Sequence, residues 1–265
     1  MILDEIVAHK RSEIAERKGR VCLSDLVSRA EQQPAAIDFA KALQGEGVSL
    51  IAEIKRASPS KGSFAPDLQA ESVASVYARN GAAAISVLTD ERYFSGSLDD
   101  LVAAKRAVAG SGRCVPILRK DFILDPYQVV EAQASGADAI LLIVRILTDD
   151  ELARLCAEIE GWGMTALVEV HDEVDIERIG ALSPAVVGIN QRNLSDFRTD
   201  LTVFAQLRKI LPDETVVVAA SGIRSAADVA HAGAQGADAV LVGEALVTTA
   251  DVGEKVRELI DGGVP

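Results

Sequence analysis

Several residue types are scarce in this chain of 265 residues, and each shortage argues against a class of protein. Its three cysteines, Cys22, Cys114 and Cys156, are odd in number and widely spaced, and the chain has only three histidines. We therefore expect neither a disulfide framework nor a zinc site, and a reducing compartment suits such a chain.

Positive charge and long apolar runs are also lacking. The chain carries 27 lysines and arginines against 40 aspartates and glutamates, a formal net charge of −13. A surface of that sign repels nucleic acid and anionic membranes, so neither is an expected partner. The longest apolar run, Ala139–Val144, is too short to span a membrane, and the charged N-terminus does not resemble a signal peptide. We predict a cytoplasmic protein that is a monomer or a weak homo-oligomer.

What the chain has instead is a repeated pattern of short apolar runs, each ending in polar residues or glycine. Hydrophobic residues make up 49% of the chain, enough for one large core. The runs begin about 21 to 33 residues apart with a helix-like stretch between them, which is typical of an α/β fold of the (β/α)8 TIM barrel type. The eight runs are Ile51–Ser58, Ala84–Thr89, Val115–Phe122, Ala139–Arg145, Thr165–His171, Val186–Asn193, Val216–Gly222 and Ala239–Glu244.

The residues before the first run have helical patterns of their own. Ile2, Leu3, Ile6 and Ile14 lie on one helical stripe, and further short helices are predicted from about Ser24 and over 38–43. We expect one barrel domain over 1–265 in which residues 1–47 form extra helices. Because an added segment needs an apolar partner surface, a lid over the active-site end is favoured over a cap on the opposite end.

The C-terminal ends of barrel strands form the active site of this fold, so the tails of the runs are candidate site residues. Glu53 and Lys55 are two residues apart on the first strand and therefore point to the same face. Ala52 and Ile54 belong on the outer face beneath the helices, which turns the two charges inward. A buried charge is costly unless it is paired. A purely structural ion pair is the alternative interpretation.

Further charged and polar residues lie at other strand ends, on the same face of the strand as an inward-pointing position. Each comes two residues after an apolar or small residue, so the two side chains point to the same side. If those faces point inward, two lysines, two glutamates, an asparagine and an arginine meet in one cavity. A solvated rim of charges does not explain the matching parity. The additional residues are Lys120, Glu169, Asn190 and Arg192.

Glycine at the last two strand ends predicts an anion site. Ser221 and Gly222 end the seventh run, Gly243 and Glu244 end the eighth, and each pair leads into a helix. Barrels often hold phosphate there, at a helix N-terminus that glycine lets the ligand approach. Simple turn chemistry is the alternative.

Aromatic residues form only 4% of the chain, and two of them lie near strand ends. Phe94 and Phe122 are placed either to flank a planar substrate or to pack a loop. His171 follows Glu169 by two residues, and the sequence assigns it no role.

The same segments are similar to those of the indole-3-glycerol phosphate synthase family. The resemblance covers nearly the whole chain, and the segments from Ile51 and Leu118 are its most specific parts. It implies a cofactor-free reaction of tryptophan biosynthesis that converts 1-(o-carboxyphenylamino)-1-deoxyribulose 5-phosphate into indole-3-glycerol phosphate, with release of CO2 and water. The segments are IAEIKRASPSKG from Ile51, VLTDERYFSG from Val87, LRKDFILDP from Leu118, LVEVH from Leu167, GINQRNL from Gly188 and SGI from Ser221.

The resemblance also implies roles for individual residues. Lys120 would be the general acid of ring closure, and Glu169 the general base of the later dehydration. Lys55 would meet the substrate carboxylate, while Glu53 and Asn190 would hold that network and a substrate hydroxyl. The implied phosphate site consists of Ser58, Ser221, Gly222, Gly243 and Glu244. The implied wall around the anthranilate ring consists of Pro59, Phe94, Phe122, Leu141, Arg192 and Leu194.

One residue departs from the family's pattern. The family usually reads Ala-Glu-Ser-Gly at the end of strand seven, whereas this chain has Ala220 in place of the glutamate. The missing carboxylate predicts lower turnover than in relatives. It also keeps open a phosphosugar-binding barrel with impaired turnover. A second rival, a phosphosugar aldose–ketose isomerase, would generally need an Asp or Cys at the ends of strands one and seven.

Overall fold

The protein is described by a computed structural model that covers residues 2–192 and 199–264. Eight parallel strands close into a barrel, and neighbours in the barrel are neighbours in the chain. The predicted (β/α)8 barrel is therefore confirmed. The barrel strands are β1 (Ser49–Ile54), β2 (Ala84–Leu88), β3 (Ile117–Lys120), β4 (Ala139–Ile143), β5 (Thr165–Val170), β6 (Val186–Asn190), β7 (Val216–Ala220) and β8 (Ala239–Val242).

Helices follow each barrel strand, and several of them begin at polar caps. Asp125, Thr148 and Ser225 each accept a hydrogen bond from the first turn of the helix that follows, in a capping box. The helices are α1 (Ile2–Arg20), α2 (Leu23–Ala30), α3 (Phe39–Leu43), α4 (Ala70–Arg79), α5 (Glu91–Phe94), α6 (Leu98–Ala109), α7 (Pro126–Ala134), α8 (Asp149–Gly161), α9 (Glu173–Ile179), α10 (Thr202–Arg208), α11 (Ala226–Ala234), α12 (Glu244–Val247) and α13 (Val252–Asp261).

Alternation along the strands divides the core into two layers. Ile51, Leu118 and Leu167 are buried in a cluster inside the barrel. Ala52 and Ile54 are buried in the larger cluster between the strands and the outer helices. The inward parity that the sequence predicts for the polar strand ends follows directly from this division.

The N-terminal extension reaches both ends of the barrel. Ile2, Leu3 and Ile6 of α1 face the cavity at the C-terminal ends of the strands, as a lid does. Ahead of α3, the backbone N–H of Ile37 donates to Asp138, the residue before β4, so α3 lies at the opposite end. The lid and the cap, weighed as alternatives from the sequence, are both present.

Helix α3 fills the barrel opening at the N-terminal ends of the strands, and α2 lies on the outside of the barrel. Phe39 and Leu43 of α3 are fully buried with the first residues of several strands. Leu26 and Ala30 of α2 pack against Tyr127 and its neighbours on α7. None of the helices within the described ranges combines the length and the apolar character that crossing a membrane requires.

Candidate active site

A cavity of about 480 Å³ opens at the C-terminal ends of the strands. Every barrel strand, or the residue directly after it, contributes to its wall, so the ring of strands sets its shape. The structure brings most of the predicted site residues together on this wall. They are Glu53, Lys55, Ser58, Pro59, Phe94, Lys120, Phe122, Glu169, Asn190, Arg192, Ser221, Gly222, Gly243 and Glu244.

One predicted wall residue within the described ranges, Leu141, is not part of this lining. Leu141 is buried in the interior cluster one step deeper along β4, and Ile143, two residues further on, reaches the cavity instead. Leu141 and Ile143 are two residues apart, so both side chains point into the barrel. Only the position along the strand decides which of them reaches the cavity. Leu194 lies outside the described residues.

Lys120 and Glu169 meet across the mouth. They extend from the ends of β3 and β5, and the Lys120 Nζ lies 3.8 Å from Oε2 of Glu169. Glu169 is almost fully buried and Lys120 is partly exposed to the cavity. A proton donor and a carboxylate thus face the same space, as general acid–base chemistry needs.

Glu53 and Lys55 form a second pair on β1 and just beyond it. Their charged atoms are 2.8 Å apart, and both side chains line the cavity. The pair therefore satisfies the buried carboxylate and still presents a cation to a ligand. Gly243 is needed beside it, because a Cβ there would lie 2.3 Å from the Glu53 carboxylate.

Asn190 links the two halves of the site through its carboxamide. Its Nδ2 donates to Oε1 of Glu169 at 3.2 Å. Its Oδ1 accepts from the Ser221 hydroxyl at 2.9 Å and from the backbone N–H of Arg192 at 3.1 Å. The amide orientation is thereby fixed, and with it one oxygen of Glu169.

The turn after β7 has the backbone of an anion site. Ser221 and Gly222 both have left-handed φ angles, 72° and 87°, and α11 begins shortly afterwards at its cap Ser225. A serine in that region is strained, and such strain is concentrated at functional sites. A Cβ on Gly222 would also lie 2.8 Å from side-chain atoms of Thr199 and Leu201.

The carboxylate of Glu244 is already engaged within the protein. The side chain pairs with Lys61 at 2.6 Å. This hydrogen bond from Lys61 keeps the pKa of Glu244 below its usual range. A charged carboxylate repels phosphate, so the backbone at Gly243 and Glu244 is the part of this loop suited to an anion.

Apolar groups close the remaining wall. The rings of Phe94 and Phe122 are 6.1 Å apart and inclined at 41°, and both line the cavity. Ile2, Leu3 and Ile6 of the lid complete this side. A planar aromatic group fits such a surface.

A buried ion cluster lies behind this wall, and the sequence analysis did not predict it. Lys10 of α1 is fully buried, and its Nζ lies 2.9 Å from both Asp90 and Asp121 and 3.0 Å from Glu13. Burial alone would lower the pKa of Lys10, but these carboxylates outweigh burial and raise it. Asp90 caps α5, which carries Phe94, so Lys10 joins the lid to the aromatic wall.

Asp121 connects this cluster to the end of β3. Burial would raise its pKa, but Lys10 and Arg119 outweigh that effect and hold it at about 2. Arg119 is itself fully buried and donates to Thr89, the Gln128 carbonyl and two carboxylates. The residues on both sides of Lys120 are therefore locked, and Lys120 stands on a rigid strand end.

Fold and site together define a (β/α)8-barrel enzyme with lysine–carboxylate pairs, an aromatic wall and an anion-binding turn at one mouth. A model of the indole-3-glycerol phosphate synthase family matches residues 3–259. The chain belongs to that family.

Curated relatives agree along the whole length. The indole-3-glycerol phosphate synthase of Mycolicibacterium gilvum is 46% identical over 263 residues, 99% of this chain and 94% of that protein. The enzyme of the same name from Dehalococcoides mccartyi is 46% identical over 261 residues, 98% of this chain and 100% of that protein.

Two solved structures share the barrel at low identity. The 3-hexulose-6-phosphate synthase of Salmonella typhimurium has a TM-score of 0.64 at 14% identity, covering 81% of this chain and 98% of that one. A thiamine phosphate pyrophosphorylase of Pyrococcus furiosus has a TM-score of 0.60 at 15% identity, covering 83% of this chain and 96% of that one. At such identity the likeness concerns the fold alone.

Proposed function

We propose that this enzyme is a carboxy-lyase that closes the indole ring of tryptophan biosynthesis. Its substrate is 1-(o-carboxyphenylamino)-1-deoxyribulose 5-phosphate, and its products are indole-3-glycerol phosphate, CO2 and water. The observation that carries the residue assignment is the meeting of Lys120 and Glu169 at 3.8 Å in a cavity that also holds the Lys55–Glu53 pair. Membership of the family supplies the reaction.

Lys120 acts as the acid of ring closure in this proposal. The aryl carbon is a poor nucleophile, so the carbonyl that it attacks needs a proton as the bond forms. Lys120 is held at the cavity by the locked residues on both sides of it. Its charge also stabilises the oxygen as negative charge develops there.

Lys55 and the aromatic wall act on the carboxylate and the ring. Lys55 meets the carboxylate, and the apolar surface of Phe94 and Phe122 receives the anthranilate ring. Decarboxylation is helped when a carboxylate leaves water for an apolar surface. Holding the ring and the phosphate at once keeps the two reacting carbons in contact.

Glu169 acts as the base of dehydration. Asn190 occupies its Oε1, which leaves Oε2 toward Lys120 and the cavity. The phosphate is assigned to Ser58 and to the Ser221–Gly222 and Gly243–Glu244 turns. Those turns follow β7 and β8, whereas the acid–base pair lies on β3 and β5.

The test is one assay of purified protein with the anilino-ribulose phosphate, following the growth of indole fluorescence. We expect turnover that Glu169→Gln removes. Isomerisation without indole would select the isomerase instead, and tight binding without product would select the non-catalytic phosphosugar binder. Ala220 favours only the non-catalytic binder, while the isomerase would need an Asp or Cys at the ends of strands one and seven, where this chain has Glu53, Lys55 and Ala220.

We also propose a cytoplasmic location and a monomer or weak homo-oligomer. Cys22 and Cys114 are free and exposed, which suits a reducing compartment. Light scattering across a concentration series measures the oligomeric state directly.

A further inference from the structure

His171 is a buried titratable group that the proposed mechanism does not use. It follows the last residue of β5, and its side chain is only 3% exposed. Neither ring nitrogen has a hydrogen-bond partner within 3.5 Å among the described residues, although buried polar atoms normally have one. The ring does not line the cavity. An unsatisfied buried imidazole next to an active site calls for a physical reason.

Two carboxylates flank this ring. Its Nε2 lies 3.6 Å from Oε1 of Glu169, and its Nδ1 lies 3.6 Å from Oδ2 of Asp175. Asp175 is itself fixed, because its Oδ2 accepts the backbone N–H of His171 at 2.8 Å and the Arg145 Nε at 3.2 Å. The ring therefore stands between a fixed carboxylate and the carboxylate assigned as the base.

The two oxygens of Glu169 have different surroundings. Oε1 faces donors on two sides, the Asn190 amide at 3.2 Å and the His171 ring at 3.6 Å. Oε2 faces the Lys120 ammonium at 3.8 Å. The Asn190 amide holds Oε1 from one side, and a second donor on the side of His171 would stop the carboxylate from rotating and leave Oε2 as the oxygen that meets a ligand.

We propose that His171 is a positioning residue for Glu169. Each ring nitrogen faces a carboxylate, which only accepts, so an N–H on Nε2 is directed at Oε1 of Glu169 and an N–H on Nδ1 is directed at Oδ2 of Asp175. Small tightening on ligand binding brings the 3.6 Å separations into hydrogen-bond range, as often happens to long contacts in unliganded sites. The inference rests on the proposed function, in which Glu169 is the base of dehydration.

Two amide replacements separate this role from simple packing. The amide nitrogen of glutamine reaches about as far as Nε2, whereas that of asparagine reaches only about as far as Nδ1. His171→Gln therefore retains a donor toward Glu169, and His171→Asn retains one only toward Asp175. Glutamine is close to the ring in volume and asparagine is smaller by one methylene, so thermal unfolding of both variants is measured beside kcat to separate lost packing from the lost donor.

We expect His171→Asn to lower kcat by about 10- to 100-fold, because misplacing a catalytic group by about 1 Å has effects of that size. KM should stay within about twofold, since the ring does not touch the ligand. His171→Gln should recover most of the lost kcat. His231→Asn, an exposed histidine on α11, is the matched control with unchanged kcat.

The wild-type assay comes first and separates the two hypotheses. An inactive wild type contradicts the proposed function and this inference with it. An active wild type with unchanged kcat in His171→Asn overturns the inference alone, and so does equal loss in the Asn and Gln variants. If thermal unfolding shows that His171→Asn does not fold, Asp175→Asn replaces it in the test. We then expect kcat to fall several-fold, and an unchanged kcat would contradict the positioning role of His171.

Discussion

At the residue scale, the site depends on side chains that alternate across a strand end. Arg119 and Asp121 point behind the wall into the ion cluster, and Lys120 between them points into the cavity. The same alternation places Glu53 inward between Ala52 and Ile54. Because a strand has a two-residue period, one register fixes both the reactive group and its support.

Replacing Lys120 by alanine should remove almost all turnover while anion binding is retained. A positioned general acid contributes about 10²–10⁴-fold, and the phosphate is assigned to turns on β7 and β8. Indole fluorescence gives kcat, and calorimetry with inorganic phosphate gives the affinity, which should stay within about threefold. Wild-type-like turnover would remove Lys120 from the acid's role.

Replacing Ala220 by glutamate should raise kcat/KM. Ala220 is buried at the cavity, with Asn190 and Leu241 as its neighbours in the sheet, so a longer side chain extends into the site. We expect a gain of about tenfold, below the roughly 10²–10⁴-fold that a positioned acid–base group supplies, because the existing acid and base remain in place. Ala220→Gln, equal in size without the charge, should show no such gain. If the glutamate variant shows no rise, our interpretation of this position is wrong.

At the element scale, the helices of the extension are held to the barrel in different ways. Helix α1 is held by buried charge through Lys10. Helix α2 is held by apolar contact with α7, and α3 by burial of Phe39 and Leu43 inside the barrel. A lid fixed by charge can keep a defined orientation over the cavity, because ion pairs are directional and apolar contact is not.

Replacing Lys10 by methionine should lower the free energy of unfolding by about 3–5 kcal/mol, because Asp90 stays buried without its cation and Asp121 keeps only Arg119. KM should rise as well, since Asp90 caps the helix that carries Phe94. Chemical denaturation and steady-state kinetics measure the two effects.

The matched control is Lys18→Met on the same helix. Lys18 pairs with Asp125 at 2.7 Å, but its side chain is 45% exposed. Exposed pairs contribute less than about 1 kcal/mol, so little stability should be lost. Equal losses in the two variants would contradict the importance of the buried cluster.

At the scale of the whole molecule, the barrel is closed at one end and open at the other. Helix α3 fills the end where the strands begin, and the cavity occupies the end where they stop. Ligand binding is thus assigned to one end of the barrel, while buried groups stabilise both ends, Phe39 at the closed end and the Lys10 cluster at the mouth. The whole chain has a formal charge of −13, whereas the cavity lining sets Lys55, Lys120, Arg192 and Arg224 against its four carboxylates, so the mouth is far less negative than the molecule as a whole.

Phe39→Ala should lower the free energy of unfolding by about 3–5 kcal/mol, through lost burial and the cavity it leaves. KM should not change, because Phe39 is far from the mouth. Leu23→Ala, at a position that is 51% exposed, should have little effect. A single unfolding transition in both variants would support the prediction of one domain over 1–265, and two separate transitions would contradict it.

The sequence by itself determined the number and order of the barrel strands and the family. It also determined that the side chains of Glu53, Lys120 and Glu169 point inward. These features depend on period and on neighbouring residues. Only the tertiary structure decided which side chains meet: Lys10 with Asp121, His171 with Asp175 on one side and Glu169 on the other, and Ile143 rather than Leu141 at the cavity. Such contacts depend on distances between segments that barrel closure brings together, or on how far along a strand a residue lies relative to the cavity. A local sequence pattern specifies neither quantity.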